Sequence, residues 1–182
     1  MPSVTPPEPP NPWRAFLGDV DGQLPQPIEI RCLGGFVSAL YYDLPRPTND
    51  LDYIEVVPHD ATATLQDTAG ADSPLAKKHR VHFQHVGVAS LPESYKERLI
   101  ELFPGRFRRL RLFALDPHDL ALSKLTRNSP VDRDDVARLA TAVPLDAKVL
   151  RRRYRRELRP IIIGDPEQHD RTLEMWIDAY LR

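Results

Sequence analysis

Apolar side chains alternate with polar ones in four short stretches of the chain and recur at helical spacing in most of the rest. The alternation predicts strands over residues 28–33, 50–57, 80–88 and 108–115. Helices are expected before the first strand, over residues 13–17, and between the strands, over residues 36–42, 61–69 and 95–103. After residue 116 the pattern is helical throughout, with helices over residues 117–126, 132–142, 146–158 and 166–181. This order predicts an α/β (α+β) fold, in which a mixed β-sheet is flanked by helices and followed by a helical C-terminal part.

The N-terminus departs from this pattern, because six of the 19 prolines fall within the first 12 residues. Proline donates no backbone hydrogen bond, so residues 1–12 are predicted to form a disordered tail. We expect the α/β core to span residues 13–115 and the helical part, packed on the core, to span residues 116–182. A chain of 182 residues is long enough for one domain with such an extension.

The composition excludes several classes of protein. No apolar run approaches the roughly 18 residues that a bilayer crossing needs, and the N-terminus lacks the basic-then-apolar pattern of a secretory signal. The single cysteine, Cys32, excludes an intrachain disulfide, and its place in an apolar strand predicts a buried structural thiol. We therefore expect a cytoplasmic protein that has no membrane partner.

The formal net charge of −1 conceals an uneven distribution of charge. Residues 1–95 carry 6 lysines and arginines against 12 acidic residues, whereas residues 96–182 carry 19 against 14. An acidic part joined to a basic part suits a protein that handles a polyanion.

A glycine pair and an aspartate pair lie on either side of the second predicted helix. Gly34 and Gly35 come just before that helix, where free backbone N–H groups and the positive end of the helix dipole suit a phosphate. Asp50 and Asp52 are two residues apart on a strand, so their carboxylates point to the same face. Two hard oxygen ligands suit a Mg²⁺ ion whose shell is completed by substrate phosphates. Glu55 falls on the opposite face by the same alternation.

This order of glycine pair, helix and Asp-x-Asp strand resembles the nucleotidyltransferase superfamily. Two downstream segments, LDPHDLALSKL at residues 115–125 and DRDDVARL at residues 132–139, extend the resemblance. They are similar to the second conserved block of small bacterial nucleotidyltransferase-like proteins related to the AbiEii-type toxin and abortive-infection nucleotidyltransferases. The similarity covers roughly residues 28–142.

The resemblance implies a nucleotidyltransferase-type fold and Mg²⁺-dependent (or Mn²⁺-dependent) transfer of a nucleoside monophosphate from an NTP to an acceptor hydroxyl. The acceptor it implies is a tRNA end, another RNA or a protein, in a toxin–antitoxin or phage-defence setting with a cognate antitoxin or other partner protein. Asp50 and Asp52 would be catalytic and would hold the metal. The residues implied to bind the nucleotide are Gly34, Gly35, Ser38, Arg46, Thr48 and Lys124.

By the same resemblance Lys124 is also catalytic, with its ammonium placed as a point charge on phosphate oxygens. Asp132 and Asp135 lie three residues apart on one helical face. They either orient Lys124 or Arg127, or cap the helix, for which Asp132 is a natural N-cap.

Two departures from the superfamily pattern favour a second interpretation. Many members carry serine at the position of Gly35, and many use a third carboxylate on a later strand as general base. The third predicted strand offers His82, Gln84 and His85 instead. The alternative is therefore a catalytically weakened module of the same fold that binds nucleotide, RNA or a partner protein.

The stretch from residue 148 to residue 159 holds seven cationic side chains and one acid. Arginines that fan out from a helix are natural partners of nucleic-acid phosphates, and otherwise form a solvated face. The candidate nucleic-acid-binding residues are Arg151, Arg152, Arg155 and Arg156. A third, more remote interpretation is a protein that acts only by binding nucleic acid through this helix.

Overall fold

The computed structural model describes residues 8–42 and 48–181. The strands are β1 (Ile28–Cys32), β2 (Asp50–Val57), β3 (His82–His85), β4 (Ile100–Leu102) and β5 (Leu110–Ala114). The α-helices are α1 (Trp13–Gln23), α2 (Gly34–Phe36), α3 (Thr62–Ala69), α4 (Pro74–His79), α5 (Pro117–Leu122), α6 (Pro130–Ala142), α7 (Ala147–Arg153) and α8 (Pro166–Tyr180). Two of them continue as π-helix, α2 over Val37–Tyr41 and α7 over Tyr154–Leu158, and 3₁₀ turns occur at His59–Ala61 and Tyr95–Arg98.

The chain forms two compact units, which we call the sheet unit and the helical unit. The sheet unit comprises the described residues up to Gly87 together with residues 100–114, and it contains all five strands and α1 to α4. The helical unit comprises residues 88–99 and the described residues from Leu115 onward, with α5 to α8. The segment of residues 88–99, which the sequence assigned to the core, therefore belongs to the helical unit.

The sheet has the strand order β3-β2-β1-β5-β4. Strand β1 runs antiparallel to β2 and parallel to β5, β2 runs parallel to β3, and β4 runs antiparallel to β5. The sheet is mixed, as predicted, and it has one more strand than the sequence suggested.

One face of the sheet is apolar and the other is charged. The apolar face carries fully buried side chains from the three central strands, among them Ile30, Leu51 and Leu112. On the charged face, the guanidinium of Arg111 on β5 bridges Glu29 on β1 at 2.6 Å and Glu101 on β4 at 2.9 Å. Because successive side chains of a strand point to opposite faces, one face of this sheet packs in the core and the other carries polar side chains.

The predicted helix over residues 95–103 is wrong. Residues Tyr95–Arg98 form a 3₁₀ turn, and Ile100–Leu102 forms the edge strand β4. The strand is only three residues long, and its pairing with β5 is accompanied by the ion pair between Glu101 and Arg111. A strand this short is specified by its neighbour rather than by its own periodicity.

A further helix, α4, is not among the helices that the sequence pattern predicts. The Ser73 hydroxyl accepts a hydrogen bond from the backbone N–H of Ala76 at 3.0 Å, and Pro74 occupies the first turn. Serine followed by proline is a recognised helix start.

The predicted disordered tail lies partly outside the described residues, which begin at Glu8. Within residues 8–12, Pro9 is buried and the carboxylate of Glu8 bridges Arg106 at 2.7 Å. These last residues of the predicted tail are therefore part of the sheet unit. Among the described residues, no helix combines the length and the apolar composition that a membrane crossing requires.

Candidate active site

The glycine turn follows β1 directly and begins α2. Gly34 has φ +75°, a left-handed conformation that glycine adopts without the strain a side chain would cause. The preceding residue, Leu33, is extended and provides no side-chain cap for the helix. Its backbone N–H instead donates to the carbonyl of Asp52 at 3.0 Å, which fixes the turn against β2.

The carboxylate of Asp52 lies against this turn. A Cβ atom built on Gly34 would overlap Oδ2 of Asp52, and it would lie 3.2 Å from the Asp52 Cβ. Glycine is therefore required at this position both for its backbone conformation and for the room it leaves to the carboxylate. Beneath the turn, burial raises the pKa of the Cys32 thiol, with the Asp52 charge adding to the effect, and the thiol is the buried structural group expected.

Asp50 is oriented by the loop that precedes it. The hydroxyl of Thr48 donates to Oδ1 of Asp50 at 2.6 Å, and it also lies 2.9 Å from the Asp50 carbonyl. A Cβ on Gly35 would lie 3.5 Å from the same hydroxyl. The structure thus brings Gly34, Gly35, Thr48, Asp50 and Asp52 together in the sheet unit.

Ser38 and Arg46 are two further residues that the resemblance predicts to bind the nucleotide. Ser38 is 2% exposed, and its hydroxyl donates to the carbonyl of Gly34 at 3.0 Å, so it braces the turn from inside the helix. Arg46 lies outside the described residues.

The neighbours of the aspartate pair on β3 are not acidic. In the parallel pairing of β2 with β3, Asp50 lies opposite His82 and Asp52 lies opposite Gln84. Among the described residues, no group of three or more histidine, cysteine, aspartate or glutamate side chains is arranged to hold a metal ion. A cation here would take protein ligands from two carboxylates and the rest from its substrate.

The face predicted for Glu55 is wrong. Cys32 pairs with Tyr53 while Arg31 pairs with Glu55, so Ile54 is an extra residue in β2 and forms a bulge. A bulge reverses the alternation beyond it, and Glu55 therefore shares the charged face with Asp50 and Asp52. Its carboxylate forms an ion pair with Arg31 rather than joining a metal-binding group.

Lys124 and its predicted partners form a buried cluster in the helical unit. The Lys124 ammonium, 7% exposed, donates to the Asp135 carboxylate at 2.8 Å and lies 3.9 Å from that of Asp132. Asp135 therefore orients Lys124, as one interpretation had it.

Asp132 acts at the start of α6, although the N-cap is Ser129 and not Asp132 itself. The two residues form a reciprocal capping box, and the Arg127 guanidinium donates to the Asp132 carboxylate at 2.7 Å. Burial alone would raise the pKa of Asp132, but the hydrogen bonds from Arg127 and Ser129 outweigh it and lower the pKa to about 2.

A second ionic cluster in the helical unit was missed by the sequence. Asp119 is fully buried and accepts from Arg98 at 2.8 and 3.2 Å and from Arg153 at 3.0 Å. Arg98 also donates to Glu157 at 2.7 Å. These bonds fasten residues 88–99 to α5 and to the end of α7. Nothing in the local sequence separates Asp119 from an ordinary first-turn acid of a helix.

The four candidate nucleic-acid-binding arginines do not form one set. Arg151 is engaged by Glu174, at 2.6 Å. Arg152, Arg155 and Arg156 are exposed, and within the described part of the chain no ion pair neutralises them.

A mixed sheet with a glycine turn at the end of one strand and an Asp-x-Asp pair on its neighbour is the arrangement that the sequence resemblance implies. Residues 25–178 match the family model DUF6036, described as a nucleotidyltransferase of unknown function. The chain belongs to this family. No curated protein and no solved structure matches it. The family description supports the superfamily but does not extend to the AbiEii-type proteins.

Proposed function

We propose that this protein transfers a nucleoside monophosphate from an NTP to an acceptor hydroxyl, in a reaction that depends on Mg²⁺ or Mn²⁺. The observation that carries the proposal is the placement of Asp50 and Asp52 on one face of β2, with the Asp52 carboxylate against the Gly34 turn. The acceptor oxygen would form a bond to the α-phosphorus. At the same time, the bond between the α-phosphorus and the oxygen that bridges it to the β-phosphate would break. Pyrophosphate leaves, and the hydroxyl proton passes to a base or to water.

The residues present suit a divalent cation. Asp50 and Asp52 supply hard oxygen ligands, and Thr48 holds one Asp50 oxygen in place at 2.6 Å. When bound, the ion would neutralise phosphate charge and favour in-line attack at the α-phosphorus. The first backbone N–H groups of α2, at Gly34 and Gly35, would bind phosphate oxygens, since Leu33 offers them no side-chain cap.

Lys124 enters the proposal through the sequence resemblance. Its ammonium is already bound by Asp135 at 2.8 Å, within the helical unit. Contact of the Lys124 ammonium with phosphate oxygens would come in addition to this bond with Asp135.

The test is nucleotide transfer by the purified protein with each α-³²P-labelled NTP, Mg²⁺, total tRNA and cell protein. We expect label in one acceptor class, and loss of that label in the Asp50→Asn/Asp52→Asn variant. An Asp60→Asn/Asp72→Asn variant is the matched control, because both of its aspartates are exposed. Equal transfer by the wild type and the Asp50→Asn/Asp52→Asn variant would refute the catalytic role.

A binding module with a weakened site is the second candidate. It is favoured by β3, which places His82 and Gln84 rather than a carboxylate opposite the two aspartates. This candidate predicts metal-dependent binding of a nonhydrolysable NTP analogue without transfer to any acceptor. Isothermal titration with the analogue, with and without Mg²⁺, separates the two.

A toxin–antitoxin or phage-defence setting rests on the sequence resemblance alone. It predicts that expression in a bacterial host arrests growth, and that the Asp50→Asn/Asp52→Asn variant is harmless. Growth curves of the two strains at matched protein levels test it.

A further inference from the structure

Four cationic side chains on the helix formed by α7 and its π-helical continuation remain exposed. They are Lys148, Arg152, Arg155 and Arg156, which we call the cationic stripe. Lys148, Arg152 and Arg156 recur every four residues and Arg155 lies beside Arg156, so the stripe follows the helix axis over about 12 Å.

The other basic side chains of the same helix, and that of Arg159 directly after it, are neutralised within the helical unit. Arg151 pairs with Glu174, Arg153 with Asp116 and Asp119, and Arg159 with Asp170. The stripe has no such partner among the residues the structure describes. The acids close to the stripe already have other partners. Asp170 and Glu174 lie near Arg155, but Asp170 pairs with Arg159 and Glu174 pairs with Arg151. Asp146 accepts a hydrogen bond from the backbone at the start of α7.

The apolar side of this helix is not available to a ligand. Leu150, Tyr154 and Leu158 are 3%, 2% and 0% exposed. A helix that inserts into a bilayer surface needs its apolar face free, so this one offers charge alone. Three of its four free cations are arginines, whose planar guanidinium matches a phosphate better than an ammonium does.

We infer that the cationic stripe binds the phosphate backbone of RNA. The claim that the stripe binds RNA stands without the proposed function. The further claim that this RNA, rather than a protein, is the acceptor of the nucleotide rests on the proposed function. Contacts of this kind go to phosphates and carry no base specificity.

The experiment is a fluorescence anisotropy titration of a labelled 20-nucleotide RNA of mixed sequence, from 50 to 300 mM KCl. Four phosphate contacts on a single strand predict that log K falls with log salt with a slope of about −3. The Lys148→Gln/Arg152→Gln/Arg155→Gln/Arg156→Gln variant should bind at least about tenfold more weakly at 50 mM salt and lose most of this slope.

Two controls keep the result specific. The Lys77→Gln/Lys78→Gln/Lys96→Gln/Arg138→Gln variant removes the same charge from exposed positions outside the stripe and should bind as the wild type does. The Asp50→Asn/Asp52→Asn variant should also bind normally, so that a failure of RNA binding is distinguished from a failure of transfer. Circular dichroism confirms the fold of each variant.

Three results would overturn the inference. The first is the absence of RNA binding by the wild type, and the second is an equal loss of affinity in the stripe variant and its charge-matched control. The third is preferential binding of phosphatidylserine vesicles or of polyglutamate over RNA at equal salt.

Discussion

The backbone of Gly34 and the carboxylate of Asp52 lie against each other, so that a side chain on Gly34 would displace the carboxylate. Gly34 has φ +75°, and a Cβ built on it would overlap Oδ2 of Asp52. The turn after β1 and the aspartate on β2, 18 positions apart in the sequence, therefore form one structural unit.

Substitution of Gly34 by alanine should displace the Asp52 carboxylate and strain the turn. The left-handed conformation alone costs about 1–2 kcal/mol for a residue with a side chain. We expect lower thermal stability and loss of nucleotide transfer, measured by calorimetry and by the labelling assay. Gly35→Ala is the control, because its Cβ would lie 3.5 Å from the Thr48 hydroxyl, an ordinary contact. Equal effects of the two substitutions would contradict the steric argument.

Removal of Arg98 should destabilise the helical unit. Arg98→Met takes a two-bond partner from Asp119, which is fully buried, and a partner from Glu157. Loss of one member of a buried ion pair costs about 3–5 kcal/mol, and because Arg153 still bonds Asp119 at 3.0 Å, we expect a loss at the lower end of this range. The same substitution at Arg138, whose pair with Asp134 is exposed, should change the unfolding free energy by less than about 1 kcal/mol. Urea unfolding followed by circular dichroism compares the two, and similar losses would show that burial of the cluster is not decisive.

Replacing Lys124 and Asp135 together should lower the stability much less than replacing Lys124 alone. Lys124→Met takes the ammonium from a carboxylate that is 4% exposed, and we expect a loss of about 3 kcal/mol. The Lys124→Met/Asp135→Leu variant should regain most of this loss, because buried pairs are often replaced by apolar side chains without cost.

Transfer activity of that double variant then tests the role of Lys124 on phosphate. A stable but inactive double variant supports the role, whereas a stable and active one would restrict Lys124 to the structure of the helical unit. The Asp135→Asn variant, which keeps the lysine, shows whether the orientation of the ammonium matters.

The stability of the protein should fall in acid as Asp132 and Asp116 take up protons. Hydrogen bonds from Arg127 and Ser129 outweigh burial and lower the pKa of Asp132 from 3.8 to about 2. His118 and Arg153 do the same for Asp116, also to about 2. Because the folded pKa lies below the unfolded one, this stabilisation is complete above about pH 4 and is lost as pH falls toward 2.

The Asp132→Asn variant should therefore differ most from the wild type near neutral pH and approach it at low pH. Urea unfolding at pH 7, 5, 4, 3 and 2.5 measures the difference. A difference that stays constant across this range would exclude the lowered pKa of Asp132 as the cause.

Prediction from the sequence succeeded where a segment carries its own pattern. The strand over residues 50–57 was predicted with the bounds that the structure gives it, because its alternation is long and prolines limit it nearby. The last helix was predicted within one residue of its observed end, since the apolar face that buries Leu173, Trp176 and Ile177 repeats at helical spacing. The glycine turn beside the aspartate pair followed from the order of two local motifs.

Prediction failed where a neighbour in space decides. Edge strand β4 forms because β5 pairs with it, and the bulge at Ile54 turns Glu55 to the face of Asp50 and Asp52. Neither the pairing of β4 nor the bulge in β2 produces a periodic pattern of apolar residues in its own segment.

The chain's own residues thus specify its local elements and the chemistry of its glycine and aspartate motifs, because backbone propensity and side-chain alternation act over a few residues. Only the folded chain decides which charges remain free. Lys124 and Arg151 are bound by Asp135 and Glu174, whereas Arg152 and Arg155 stay exposed. Ion pairing between distant segments depends on distances that folding sets, and no pattern in one segment encodes them.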